Sequence, residues 1–131
     1  MATQILALYD RSTLGDLAVE TAFQVAREQT AAVLHILAVP SVADDATHCE
    51  RLHDDLIAFA RISQRYGIAL DGELIVEPSV ERITEEIRKR KINLIVIAKP
   101  AGKDSSSELS RLLDTVSQAT GVPATVVRGG P

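Results

Sequence analysis

The sequence predicts an α/β fold, a single doubly wound, five-stranded parallel sheet with helices on both faces. Two patterns predict it. Short apolar runs alternate along the whole chain with amphipathic segments of period near 3.6. The runs are apolar almost throughout rather than at every second residue, as strands covered on both faces should be. No shift in composition marks a linker, so residues 1–131 read as one domain. A chain of that length buries roughly two thirds of its unfolded surface in one core.

The elements follow in order. Gln4 to Tyr9 is the first strand and ends at Asp10. The first helix runs from Thr13 to Gln29, with Thr13 as its N-cap and Asp16 in the favourable first turn. Its inner face is Leu14, Leu17, Ala18, Thr21, Ala22 and Val25. Ala32 to Val39 is the second strand. In the second helix, Asp44 to Tyr66, the stripe is Cys49, Leu52, Leu56, Phe59, Ser63 and Tyr66, and Gly67 closes it. Leu70 to Val76 is the third strand, read as buried.

Ser79 caps the third helix, which buries Val80, Ile83 and Ile87 and carries the favourable pairs Glu85–Lys89 and Glu86–Arg90. Its basic end, Arg88 to Lys91, suits the negative pole of a helix and reads as solvated. Asn93 to Ala98 is the fourth strand. Ser105 and Glu108 have the spacing of a capping box for the last helix, whose inner face is Leu109, Leu112, Leu113, Val116 and Ala119. Gly121 and Pro123 stop it, and Ala124 to Arg128 is the fifth strand.

Right-handed crossovers make such a sheet parallel, and ligands bind outside the carboxyl ends of its strands. Those ends are Tyr9 to Ser12, Val39 to Ser41, Glu77-Pro78 and Ala98 to Lys103. A site in this fold is built from them.

Several residues together resemble the universal stress protein family over essentially the whole chain. They are the strand Ile5 to Asp10, the run Leu34 to Pro40, the run Asn93 to Ile97, and the close Leu112 to Ser117 followed by Gly121 to Arg128. The resemblance implies strand order 3-2-1-4-5 and homodimers formed through the last strand, with Thr125, Val126 and Val127 on the edge. In one branch of the family it also implies ATP held at the ends of the first, second and fourth strands. There Asp10 lies near the ribose or a metal, the Val39 backbone meets the base, and Thr115 with the Val116 amide meets phosphate.

That branch wraps the phosphates with Gly-x2-Gly-x9-Gly-(Ser/Thr) after the fourth strand. This chain has Ala98, Ala101 and Asp114 at the three glycine places, with twelve residues between Ala101 and Asp114. Thr115 alone matches outright, and Gly102 is a shifted substitute. Glycine is used in such loops because the backbone must come close and donate its N–H groups. Pro100 has no N–H to give. Asp114 beside a phosphate would cost on the order of 4 kcal/mol at 4 Å and an effective dielectric near 20. Lys99 and Lys103, next to the start of the last helix, would offset part of that.

Other constellations carry less. Gly102-Lys103-Asp104-Ser105 echoes a P-loop but has Ile97 and Asp104 where that motif needs Gly and Ser or Thr. Cys49 and His53 share a helix face without a third metal ligand, and Cys49 falls on the apolar stripe, so no metal site is assigned. His35, within a buried strand, reads as a hydrogen-bonded core histidine. Ser105, Ser106 and Ser107 read as cap chemistry, in a place where a phosphate would also be electrostatically welcome. A two-component receiver needs paired acids after the first strand and an Asp after the third, whereas this chain has Asp10 alone and Glu77-Pro78.

Composition narrows the function classes. With 18 acidic and 14 basic residues the net charge is −4, and there are only four aromatic rings, two Tyr and two Phe, so neither phosphate-backbone binding nor base stacking is expected. No apolar run reaches the roughly 18 residues of a membrane span, and Met1 to Asp10 lacks the basic flank of a signal peptide. One cysteine, Cys49, fits a reducing, cytoplasmic setting. The expected protein is thus a non-enzymatic homodimer that regulates or binds a protein partner in stress response, with no cofactor at its degenerate nucleotide site. The alternative is an adenine-nucleotide sensor holding ATP or AMP, with magnesium, through Asp10, Val39, Ala98, Lys99, Gly102, Lys103, Thr115 and Val116. A slow ATPase or phosphotransferase is a third reading, for which Asp10 is the one candidate residue.

Overall fold

The computed structural model describes residues 2–40, 46–101 and 107–129. Five strands and four helices alternate: β1 (Thr3–Tyr9), α1 (Thr13–Glu28), β2 (Ala32–Ala38), α2 (Ala46–Arg65), β3 (Ala69–Leu74), α3 (Val80–Arg90), β4 (Leu94–Pro100), α4 (Glu108–Thr120) and β5 (Ala124–Gly129). The strands form one parallel sheet in the order β3-β2-β1-β4-β5. The order in which strands are added switches at β1, which pairs in parallel with both β2 and β4.

The apolar runs are buried because the central strands carry side chains into a layer on each face. On one face Ile5, Ala7, Leu34, Ile36, Val96 and Ala98 pack against α1 and α2 through Ala18, Ala22, Leu52 and Leu56. On the other, Leu6, Leu8, Leu37, Ile95 and Ile97 meet Ile83 and Ile87 of α3 and Leu113 and Val116 of α4. At roughly 25 cal/mol per Å² of apolar area removed from water, these two layers are the main source of stability. Small residues along the inner face of α1 let it lie close to β1.

Helix ends depart from expectation in an instructive way. Ser12, not Thr13, caps α1, its Oγ accepting from the Gly15 amide at 3.0 Å. Ser79 caps α3 as expected. The expected Ser105 cap of α4 lies outside the described residues, as do Ser41, Asp44, Gly102, Lys103 and Ser106. The observed capping box is Ser107 with Ser110, each side chain bonded to the other's amide, and Glu108 is the first helical residue instead of the box partner. Gly121 ends α4 in the left-handed region at φ 73°, where a Cβ would be strained. Ala119, expected on the inner face, is exposed.

Three further expectations are corrected by the sheet order. The third strand was expected to be buried, yet as an edge it leaves Asp71 and Gly72 exposed. Tyr66 lies beyond α2 and is exposed, with the Arg27 guanidinium 4.5 Å from its ring centre. The basic end of α3 is not uniformly solvated. The Arg90 side chain is 7% exposed and reaches four groups: Glu86 Oε2 at 2.7 Å, Asp71 Oδ2 at 2.5 Å, Glu73, and His35 Nδ1 at 3.2 Å.

His35 is a buried, hydrogen-bonded core histidine, as expected. Its Nε2–H donates to Gln4 Oε1 at 2.6 Å while Nδ1 accepts from Arg90, which fixes the neutral tautomer. Burial first, and then the Arg90 charge, hold its pKa below the ordinary 6.5, against the opposing pull of Asp71. The 3.8 Å approach of Nδ1 to Asp71 is therefore a contact beside a neutral ring and not an ion pair. Burial acts to lower the Arg90 pKa, but the Glu86 hydrogen bond and the surrounding carboxylates outweigh it and raise the value.

Candidate functional site

Where strand order reverses, above the carboxyl ends of β1 and β4, a cavity of about 720 Å³ opens between α1 and α4. Its walls come from each segment that ends there: Asp10 and Ser12 after β1, Val39-Pro40 after β2, Glu77-Pro78 before α3, Ala98 of β4, and Ser107 to Leu113 of α4. The volume is within the range of small-molecule pockets.

The Asp10 turn is built locally. Asp10 Oδ1 accepts from the Ser12 amide at 3.0 Å and from the Ser12 hydroxyl, whose oxygen in turn accepts from the Gly15 amide. Arg11, between them, is left-handed at φ 67°. A Cβ at position 15 would lie 2.8 Å from Asp10 Oδ1 and 3.1 Å from the Asp10 amide, so glycine allows α1 to sit directly on the turn. From behind, Tyr9 donates its hydroxyl to Asp55 Oδ2 at 2.8 Å, and Arg11 Nε is 3.4 Å from the same oxygen. Burial and the Asp55 carboxylate push the Tyr9 phenol well above the ordinary value of 10.0, so it remains a donor.

The start of α4 faces the cavity from the other side. Its ladder begins with the Arg111 amide donating to Ser107 O at 3.0 Å, and the Ser110 amide is bonded to Ser107 Oγ. The amides of Glu108 and Leu109 precede that ladder, at the positive pole of the helix. Arg111 lines this wall together with the acidic residues Glu77 and Glu108.

The structure thus brings Asp10, Val39, Ala98 and Thr115 to one cavity. Thr115 is a full helix segment away from the start of α4, and its hydroxyl donates to Arg111 O at 3.0 Å. Val116 lies behind the wall in the fully buried core, its amide inside the helix. Lys99 projects to the α4 side of the sheet, where its Nζ is 2.8 Å from Asp114 Oδ2. This ion pair neutralises the acid expected to repel a phosphate and at the same time occupies the lysine expected to attract one. Gly102 and Lys103 lie outside the described residues.

Sequence reasoning missed Ser107, Ser110 and Arg111 as wall residues. The signal was there in the Ser-x-x-Ser spacing, but Ser105 with Glu108 matched the commoner capping pattern. Among the described residues, no group of three or more His, Cys, Asp or Glu side chains is arranged to hold a metal ion. No described helix is long and apolar enough to cross a membrane.

No family model and no curated protein matches the sequence. Solved structures do resemble it. A protein of the universal stress protein family from Burkholderia pseudomallei is 16% identical, with 95% of each chain covered and a TM-score of 0.67. A universal stress protein from Archaeoglobus fulgidus in complex with dAMP is 12% identical over 96% of this chain and 97% of that one, with a TM-score of 0.66. An Arabidopsis thaliana protein of the same family, with AMP bound, is 14% identical over 96% and 91%, with a TM-score of 0.63. The chain has the universal stress protein fold.

Proposed function

We propose that this chain binds an adenine nucleotide in the cavity above β1 and β4 and acts as a non-enzymatic, dimeric regulatory module of the cytoplasm. One observation carries the nucleotide reading: Asp10, the Val39 backbone and the start of α4 surround a single cavity of about 720 Å³ at the switch point. Two similar folds hold AMP and dAMP, which supports the same class of ligand.

The donor set fits that ligand. The Asp10 carboxylate is fixed by Ser12, and its remaining acceptor capacity suits the ribose hydroxyls. The Val39 amide is committed to Tyr9 O at 2.7 Å, so its carbonyl meets the base, as an acceptor for the exocyclic amino group of adenine. The amides of Glu108 and Leu109, with Arg111, receive phosphate. Asp10 serves as an anchor: its Oδ1 is held in the turn by Ser12, and its other oxygen is left for the ribose.

The second subunit pairs along β5. There Ala124, Val126 and Arg128 are the exposed residues, and Val126 is 46% exposed on an open edge. Antiparallel pairing with the same strand of another copy covers that edge with two-fold symmetry.

Calorimetric titration with AMP is the test. Saturable binding that Asp10→Ala weakens at least about tenfold, the equivalent of about 1.4 kcal/mol, is expected. Absence of heat and of thermal shift at millimolar AMP would favour instead a module that recognises a protein partner without nucleotide.

A further inference from the structure

Among the described residues the cavity lining is unbalanced in charge: Asp10, Glu77 and Glu108 are three acidic residues, and Arg111 is the one basic residue. Lys99 is not among the lining residues and is paired with Asp114 of α4 at 2.8 Å, so the pair adds no net charge beside the cavity. The positive pole of α4 is partly used as well. Glu108 is its first residue, and the Ser107–Ser110 box satisfies the Ser110 amide. Among the described residues the donors at this end are two amides and Arg111, a set that suits a single phosphate group better than a chain of three.

Glu77 is also held in place by its backbone. It is left-handed at φ 53° and followed by Pro78, which together turn the chain from the end of β3 toward Ser79, the cap of α3. Its place in the cavity wall is therefore set by the fold.

From these observations, and resting on the nucleotide reading of the cavity, we infer that the site selects its ligand by charge. It accepts the nucleoside or its monophosphate and discriminates against the di- and triphosphate, with Glu77 and Glu108 as the specificity-determining residues. Each added phosphate brings negative charge toward these acidic residues, where repulsion in a partly screened medium weakens binding by about threefold or more per step.

Titration of the full chain with adenosine, AMP, ADP and ATP, at low salt and with EDTA to remove divalent cations, tests this. ATP is expected to bind at least about tenfold more weakly than AMP. In Glu77→Gln combined with Glu108→Gln that ratio should fall below about threefold, mainly because ATP binds better. Thermal melting of both proteins checks that the variant is folded, and Glu77→Gln alone, at an exposed position, should move the ratio in the same direction. ATP binding as tightly as AMP would overturn charge selection while leaving the nucleotide reading intact. A ratio unchanged in both variants would overturn the assignment to Glu77 and Glu108. No binding of any of the four would overturn the nucleotide reading itself.

Discussion

The two edges of the sheet face the same hazard and meet it differently. A parallel sheet of five strands leaves one row of unpaired backbone groups along β3 and another along β5. Along β3 the side chains at the rim are acidic, and Asp71 and Glu73 are tied to Arg90 behind them. Along β5 exposure alternates, and the outward residue at the centre is Val126. Charge closes the first edge to another strand, since pairing would remove those carboxylates from water. The second edge offers an apolar side chain and an unblocked ladder. The difference is the physical ground for proposing association along β5 and not along β3.

The largest expected effect comes from breaking the closed edge. Arg90→Ala would leave the buried Glu86 carboxylate without its main partner and release Asp71 and Glu73. A loss of about 3–5 kcal/mol in urea unfolding is expected, far beyond that of an exposed ion pair. A loss below about 1 kcal/mol would show that the cluster is dispensable.

Next is the open edge. Val126→Lys should convert a dimer to a monomer in light scattering at micromolar concentration, with subunit stability changed by no more than about 0.5 kcal/mol. Val127→Lys makes the comparison sharper, because Val127 packs inward against the α1 layer. It should cost the subunit itself about 1–3 kcal/mol. A wild-type chain that scatters as a 14.1 kDa particle would remove the association edge altogether.

The smallest effect is the pH response behind the β3 edge. His35 is neutral in the fold with its pKa below 6.5, so the unfolded chain takes up a proton before the folded one does. Its contribution is fully present above 6.5 and is lost as pH falls through the lowered folded value. Unfolding midpoints should therefore rise with pH in the interval below 6.5, and His35→Gln should flatten that rise. An identical slope in the variant would assign the response to other groups.

What was legible in the sequence was whatever depends on neighbours along the chain. Periodicity located all nine elements, and Ser79, Gly67 and Gly121 marked ends correctly because capping is local. Adjacent candidates defeated it: Ser12 next to Thr13, and three serines in a row before α4, differ only in which hydroxyl the folded turn presents. Arg90 was misjudged for a different reason. Its partners Asp71 and Glu73 come within reach only when β3 lies beside β2, with Asp71 opposite His35, and that register is a tertiary fact. The site was half legible. Strand ends named Asp10, Val39 and Ala98, but the Lys99–Asp114 pair depends on which face of β4 meets α4.

Gly15 sets a tolerance. With 2.8 Å between a virtual methyl carbon and Asp10 Oδ1, the clearance between the first helix and the acid at the cavity mouth is that of one hydrogen atom. The helix cannot roll inward, and a larger side chain there would act as a wedge against the Asp10 carboxylate and backbone and against the Tyr9 ring, 3.3 Å from the same virtual carbon. The entrance is thus gauged by the smallest residue in the chain.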